Sequence, residues 1–188
     1  MKSSENARNL IKKYEGLRLT AYKAVSSEKY YTIGYGHYAK NVTKEMRITI
    51  AQANSFLTAD IKKAEKAVNI YQSLYSFNQN QYDALVSFAY NIGSIKQLTN
   101  NGKRTIEQIA SAIPLYCKAG GVKLNGLVKR RNDELTLFLT LTNELETIAR
   151  QVLTGKWGNG QERKDALTCA GYDYKAIQAI VNRLLKEV

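Results

Sequence analysis

Glu15 is the residue from which a catalytic reading starts. It stands at the C-terminal end of an amphipathic segment, beside Gly16 and ahead of a stretch rich in aromatic and β-branched residues. A carboxylic acid held against such a stretch can protonate the leaving oxygen of a glycosidic bond if burial raises its pKa. Hydrolysis also needs a group that positions water or stabilises the developing positive charge. Glu28 lies in the loop between Glu15 and Thr32, where its carboxylate either reaches back into a cleft or faces solvent. Tyr31, Tyr35 and His37 are the candidate substrate-binding residues around Thr32. The two rings can stack on sugars or pack into a small core. His37, the only histidine, serves equally as a structural hydrogen-bonding group. A glutamate at a helix end is more often structural than catalytic, so the surrounding elements must decide.

Those elements follow from periodicity. Ala7, Leu10, Ile11 and Tyr14 recur at helical spacing behind the cap candidates Ser3 and Ser4, and Gly16 ends the helix. Tyr30 to Gly36 reads as strands and turns of a small antiparallel sheet, with Gly34 and Gly36 permitting close approach. Thr49 with Gln52 predicts a capping box before Ala53, Phe56, Leu57, Ile61, Ala64 and Val68, a long amphipathic helix that joins the sheet to the rest. Asn78 with Gln81 repeats that signal before Leu85, Phe88, Ala89 and Ile92. Pro114 should bend or shorten a helix that begins near Ile106. A loop at Gly120-Gly121 leads to a further stripe from Leu127 to Leu139. The domain boundary is placed at Thr140-Leu141-Thr142-Asn143, giving domains 1–141 and 144–188. Beyond it, three short helical stripes predict a three-helix bundle of modest stability.

Composition narrows the partners. Hydrophobic residues make up 44% of the 188 and charged residues 23%, which excludes disorder. The net charge of +12 attracts polyanions of any kind. Residues 144–188 contribute only +1 of it, leaving +11 on 1–143. No pure Lys/Arg tail and no recognition helix appear, so a nucleic-acid binder is a distant reading. Cys117 and Cys169 fall in segments read as helical and are expected as buried or partly buried thiols, without a disulfide framework. One histidine and two cysteines argue against a metal site, and no cofactor is implied. No run reaches membrane-span length and no signal-peptide stretch precedes the first helix, so the chain is expected in the cytoplasm.

The strings Glu15-Gly16-Leu17-Arg18-Leu19, Ala21-Tyr22 and Tyr31-Thr32-Ile33-Gly34-Tyr35-Gly36-His37 resemble the start of small phage lysozymes of glycoside hydrolase family 24. Asn91 with Gly93, and Arg130-Arg131-x-x-Glu134, resemble the helical lobe of the same family, so the likeness covers roughly residues 4–139. It implies an α+β, two-lobed, mainly helical fold with a small antiparallel sheet lobe. It also implies hydrolysis of the bond between N-acetylmuramic acid and N-acetylglucosamine in peptidoglycan. Glu15 is carried over as general acid and Thr32 as the residue that positions water. The family's aspartate would fall at Ala24, in a lengthened loop, and Ala24 has no carboxylate. Glu28 supplying the missing group, Glu15 and Thr32 sufficing, and a non-catalytic peptidoglycan-binding protein all remain open.

Residues 144–188 resemble a three-helix wall-binding repeat of Gram-positive phage endolysins, through Gly155-Lys156-Trp157-Gly158-Asn159-Gly160, Arg163-Lys164 and Ala170-Gly171-Tyr172-Asp173-Tyr174. Arg150, Trp157, Arg163 and Asp173 are the candidate wall-binding residues. Trp157 reads equally as a core plug and Asp173 as a helix cap. The combined resemblance implies a phage protein held in the host cytoplasm, released with holin assistance, without stable membrane insertion, onto a Gram-positive wall.

Overall fold

The computed structural model describes residues 1–186, with 141–143 described by backbone alone. The chain forms two compact units, Met1–Phe138 and Leu139–Val188.

In the first unit, α1 (Glu5–Glu15) starts where the Ser4 hydroxyl accepts the Asn6 N–H. It stops where Gly16 turns to φ 68° and its N–H closes on the Lys12 carbonyl at 3.1 Å. Three short strands follow, β1 (Arg18–Tyr22), β2 (Tyr31–Gly34) and β3 (His37–Ala39), antiparallel in that order. Their core is Ile33, Val42, Ile48 and Ala53. Ala53 belongs to α2 (Ile50–Tyr75), which therefore ties the sheet to the helices.

Both expected capping boxes are present, Thr49 with Gln52 before α2 and Asn78 with Gln81 before α3 (Gln79–Ile92). Each satisfies two backbone donors that the helix start leaves unpaired. The buried face of α2, through Leu57, Ile61, Ala64 and Val68, accompanies its packing on α3, and α1 packs on α3 as well. A third box, Thr105 with Gln108, opens α4 (Ile106–Ala112) and was not anticipated.

Pro114 shortens that helix as expected, because α4 passes into a 3-10 turn at Ile113–Leu115. Cys117 is consequently buried but not helical, which corrects the sequence expectation. The loop expected at Gly120-Gly121 is the tip of a hairpin between β4 (Lys118–Ala119) and β5 (Val122–Lys123). Both glycines have positive φ, 56° and 81°, as a two-residue hairpin turn demands.

α5 (Asn125–Leu153) carries residues of both units. The connection expected at 140–143 falls within that span, and of its residues 141–143 the side chains lie outside the described set. In the second unit, the end of α5, α6 (Gly160–Cys169) and α7 (Tyr174–Leu184) enclose Ile148, Ala149, Val152, Leu167, Ile177, Val181 and Leu184. Residues 187–188 of the expected module lie outside the described residues. Cys169 ends α6 and is exposed, not buried as expected, because the helix turns its apolar face inward at Leu167. Among the described residues, no helix is long and apolar enough to cross a membrane.

Ile33 is wholly buried in the small core beneath β2. Ile33→Ala should lower stability by about 3 kcal/mol through lost burial and a residual cavity, measured as a fall in the urea midpoint.

Candidate active site

Glu15 is the last residue of α1, and its side chain is 22% exposed. The Gly34-Tyr35-Gly36 connection between β2 and β3 comes down directly onto it. A Cβ placed on Gly36 would stand 3.2 Å from Glu15 Oε2. Gly36 also has φ 85°, so both space and backbone shape call for glycine there. The Tyr90 hydroxyl of α3 donates to the Tyr35 carbonyl at 2.7 Å and fixes the connection from the other side. Burial, with Asp60 and Glu15 nearby, pushes the Tyr90 hydroxyl pKa up, so it stays a neutral donor.

The other carboxylate oxygen of Glu15 accepts a hydrogen bond from Arg130 Nη1 at 2.7 Å. That guanidinium spends its remaining donors inside the protein. Nε reaches Glu134 Oε1 at 3.1 Å and Nη2 reaches the Ser87 carbonyl at 3.1 Å. Glu134, fully buried, also accepts from Ser87 Oγ at 2.8 Å and from Arg131 Nη2 at 3.2 Å. Arg131 Nε lies 2.9 Å from Glu134 Oε2, an ion pair whose angle falls short of a hydrogen bond. Arg131 completes its contacts with Asn91 Oδ1 at 3.0 Å and the Phe88 ring, 4.5 Å from centroid to guanidinium. Burial pushes the Glu134 carboxyl up, against the pull of Arg131 and Arg130, and pushes the Arg131 guanidinium down. With two guanidinium groups within 3.2 Å, the charged form of Glu134 is the one the geometry accommodates.

A second clamp holds the end of α1 to α5. Asp133 accepts from Lys13 Nζ at 2.6 Å and from the Tyr14 hydroxyl. These hydrogen bonds hold the Asp133 carboxyl below the usual carboxylate range, while burial and Asp133 push the Tyr14 hydroxyl up.

Strand register sorts the side chains of the sheet into two faces. Tyr22 pairs with Thr32 and Thr32 with Tyr38, so these three share one face of the sheet. Tyr31, Ile33, His37 and Ala39 take the other face. Tyr31 and Tyr35, the rings singled out from sequence, pack against the sheet-lobe core. Tyr38 is instead 46% exposed and borders a cavity of about 270 Å³ with Gly36, Asp60, Lys63 and Tyr90. Thr32 itself is buried. His37 is braced against α2, with Nδ1 2.6 Å from Asp60 Oδ2 and its ring stacked on Phe56 at 4.5 Å. Glu28 folds back within its loop, and its Oε2 accepts the Ala24 N–H at 2.9 Å. Its carboxylate therefore sits on the residue that lacks one.

Sequence reasoning noted Arg130-Arg131-x-x-Glu134 but gave it no place at the site. The spacing was the available signal, because residues three and four apart on a helix meet side by side. Tyr38 and Tyr90, which border the cavity beside Gly36, carry no signal in any local pattern, because contacts between distant elements bring them there.

In the second unit, Trp157 packs edge-on against Tyr172 at 5.9 Å, and its Nε1 donates to Gln151 Oε1 at 3.0 Å. Asp173 caps α7, accepting from the Lys175 and Ala176 N–H groups. Arg150 pairs with Glu146 at 2.8 Å, and Arg163 donates to the Gly158 carbonyl and Asn159 Oδ1. All four expected wall-binding residues thus hold internal contacts. Among the described residues, no group of three or more His, Cys, Asp or Glu is placed to hold a metal.

The profile of the family described as Phage lysozyme matches residues 12–134. The chain belongs to the phage lysozyme family. A CW_7 repeat matches residues 146–185. The chain is similar to the endolysin of Lactococcus phage c2, 49% identical over 139 residues that cover 73% of this chain and 60% of that protein. It is also similar to the endolysin of Bacillus phage PZA, 44% identical over 145 residues that cover 73% of this chain and 55% of that protein. The chain thus spans 55% to 60% of the length of these curated relatives. Among solved structures, the muramidase domain of SpmX from Asticaccaulis excentricus matches with a TM-score of 0.62 at 33% identity, covering 73% of this chain and 97% of that one. The α+β fold expected from the sequence is that of phage lysozymes.

The Asp133 clamp carries a pH signature. Its folded pKa lies below the unfolded value of about 4, so its stabilisation is complete above that pH and is lost as pH falls through the folded pKa. Asp133→Asn should melt lower than wild type at pH 7, and the difference should shrink as pH falls below about 4, followed by thermal denaturation at a series of pH values.

Proposed function

We propose that the chain is a phage endolysin that hydrolyses the β-1,4 bond between N-acetylmuramic acid and N-acetylglucosamine in peptidoglycan. The observation that carries this reading is Glu15 itself. One of its oxygens is tied to Arg130 at 2.7 Å and the other faces the glycine connection that leads from Thr32. A proton on the free oxygen can pass to a leaving group lying over Gly36. Arg130 restricts the rotation of the carboxyl, which reduces the entropic cost of placing that proton. The names of the similar proteins, endolysin and muramidase domain, support the same chemistry.

Thr32 is assigned to the attacking water, from the sheet face opposite the lobe core. Glu28 is assigned as the second carboxylate, in place of the one absent at Ala24. Its backbone tether to Ala24 supports this, since a loop glutamate held at 2.9 Å is already partly oriented. His37 and Tyr35 act by shaping the strand connection, and Tyr31 by supporting β2 from beneath. In this reading residues 1–141 form the catalytic domain, and 144–188 the module that holds the enzyme to a wall of Gram-positive type. The protein would wait in the host cytoplasm and reach its substrate with holin assistance.

Release of soluble glycan from purified peptidoglycan tests the catalytic assignments. Glu15→Gln should lower the rate about 1000-fold, since an amide cannot supply the proton. Glu28→Gln should lower it about 100-fold while KM stays near wild type. Unchanged kcat in Glu28→Gln would remove Glu28 from the mechanism, and substantial turnover by Glu15→Gln would overturn the reaction proposed.

A further inference from the structure

The strands of the sheet lobe alternate in direction, so the last residue of β1, the first of β2 and the last of β3 stand at one end of the sheet. Tyr22 pairs there with Thr32, and Tyr31 with Ala39. The chain entering or leaving the strands at that end carries Lys23, Lys29 and Lys40. Residues 46–48 run along the free edge of β1, with the Ala21 N–H on the Met46 carbonyl and the Ile48 N–H on the Leu19 carbonyl, both at 2.9 Å. Thr20 and Arg47 form an antiparallel bridge between them. This alignment brings Lys44, which precedes that segment, to the same end as Lys23.

These four lysines keep their charge available. None forms an ion pair among the described residues. Lys29, Lys40 and Lys44 are exposed and Lys23 is half-buried. Lys23 Nζ lies 5.1 Å from the Tyr31 centroid, and Lys29 Nζ lies 5.3 Å from that of Tyr30. A ring face orients an ammonium group without cancelling its charge. Tyr30 is steadied in turn, since its N–H donates to the Tyr38 hydroxyl at 3.1 Å and the two rings meet at 5.5 Å. The acids at this end are Glu28, whose Oε2 accepts the Ala24 N–H, and the exposed Glu45. Four ammonium groups against two carboxylates leave an excess of positive charge.

The spread of that charge selects its partner. Neighbouring strands stand about 4.8 Å apart, so the four segments span roughly 15 Å. One small anion cannot fill that span, but a chain of successive anions can. Lysine suits such a chain, because an ammonium is a point charge that meets phosphate oxygens without a fixed planar geometry. A lipid surface would require apolar side chains to enter it as well. Between Lys23 and Lys44 only Val25 and Tyr38 are exposed large hydrophobics.

We propose that this end of the sheet docks a linear polyol phosphate of the bacterial wall, with Lys23, Lys29, Lys40 and Lys44 on successive phosphodiesters. The inference rests on the reading that the chain acts on a wall, and it gives the first unit a hold there that is independent of the second unit.

The experiment titrates the full-length chain into fluorescently labelled poly(glycerol phosphate) and follows anisotropy across a range of salt concentrations. Affinity should fall steeply with salt, because binding releases counterions from the polyanion. Lys23→Gln/Lys29→Gln/Lys40→Gln/Lys44→Gln, with an unchanged circular dichroism spectrum, should bind at least about tenfold more weakly near about 50 mM salt. Its logarithmic salt slope should be flatter by about 3, and that of the milder Lys29→Gln/Lys40→Gln pair by about 1. Lys62→Gln/Lys66→Gln/Lys96→Gln/Lys103→Gln removes the same charge from exposed positions elsewhere in the first unit and should bind within about twofold of wild type. Unchanged binding and slope in the sheet variants, or an equal loss in the control variant, would overturn the proposal. Tighter binding to phosphatidylglycerol vesicles, or to single-stranded DNA of equal phosphate content, would overturn it as well. Fragment release by wild type from peptidoglycan stripped of phosphate polymer tests the underlying reading separately. A chain that binds poly(glycerol phosphate) through these lysines yet releases no fragments would sink the proposed reaction and support the docking surface.

Discussion

Glu134 is a carboxylate with no access to water, and the cost of burying it organises the first unit. Removing such a charge from solvent costs several kcal/mol, recovered only if hydrogen bonds and opposite charges surround it closely. Arg130, Arg131 and Ser87 do so, and each is thereby fixed. Arg130 is left with one outward-facing nitrogen, and that nitrogen meets Glu15. The Glu15 carboxyl is thus positioned by a guanidinium that the interior already holds rigid. An exposed arginine would lose much of this effect to its own side-chain freedom.

The sheet sorts its side chains between two faces. Its core face, with Tyr31, Ile33 and His37, is spent on packing and on the Asp60 and Phe56 contacts. Its opposite face carries Tyr22, Thr32 and Tyr38 in a row across the strands. A shift of one residue in register would exchange these sets and bury the wrong ones. The turn that follows is then drawn close to Glu15 by Gly36 and held by the Tyr90 hydroxyl. Helices and sheet converge on one carboxyl without any single element supplying the whole site.

Much of this was legible in the chain. Helix starts were, because Ser4, Thr49 and Asn78 announce them through side chains that satisfy local backbone donors. Glu15 and the Thr32 strand were visible through their motif, and Arg130-Arg131-x-x-Glu134 through its spacing. The assignment of tyrosines to faces was not. Tyr31 and Tyr35 read equally as sugar-stacking and as core rings, and only their tertiary packing against Ile33, Val42, Ile48 and Ala53 settles them as core-facing. The β4–β5 hairpin was hidden because two-residue strands carry no alternation to read. In the small module, Trp157 and Arg163 have the chemistry of ligand-binding residues. Their commitment to Gln151, Tyr172, Gly158 and Asn159 depends on tertiary contacts.

The claim on which the account rests most heavily is that Glu15 protonates the glycosidic oxygen of a muramyl linkage. Mass spectrometry of the fragments that the purified chain releases from peptidoglycan addresses it directly. After borohydride reduction, the account predicts fragments terminating in reduced N-acetylmuramic acid, and none from Glu15→Gln at the same protein concentration. Fragments terminating in reduced N-acetylglucosamine, or an equal yield from Glu15→Gln, would contradict it.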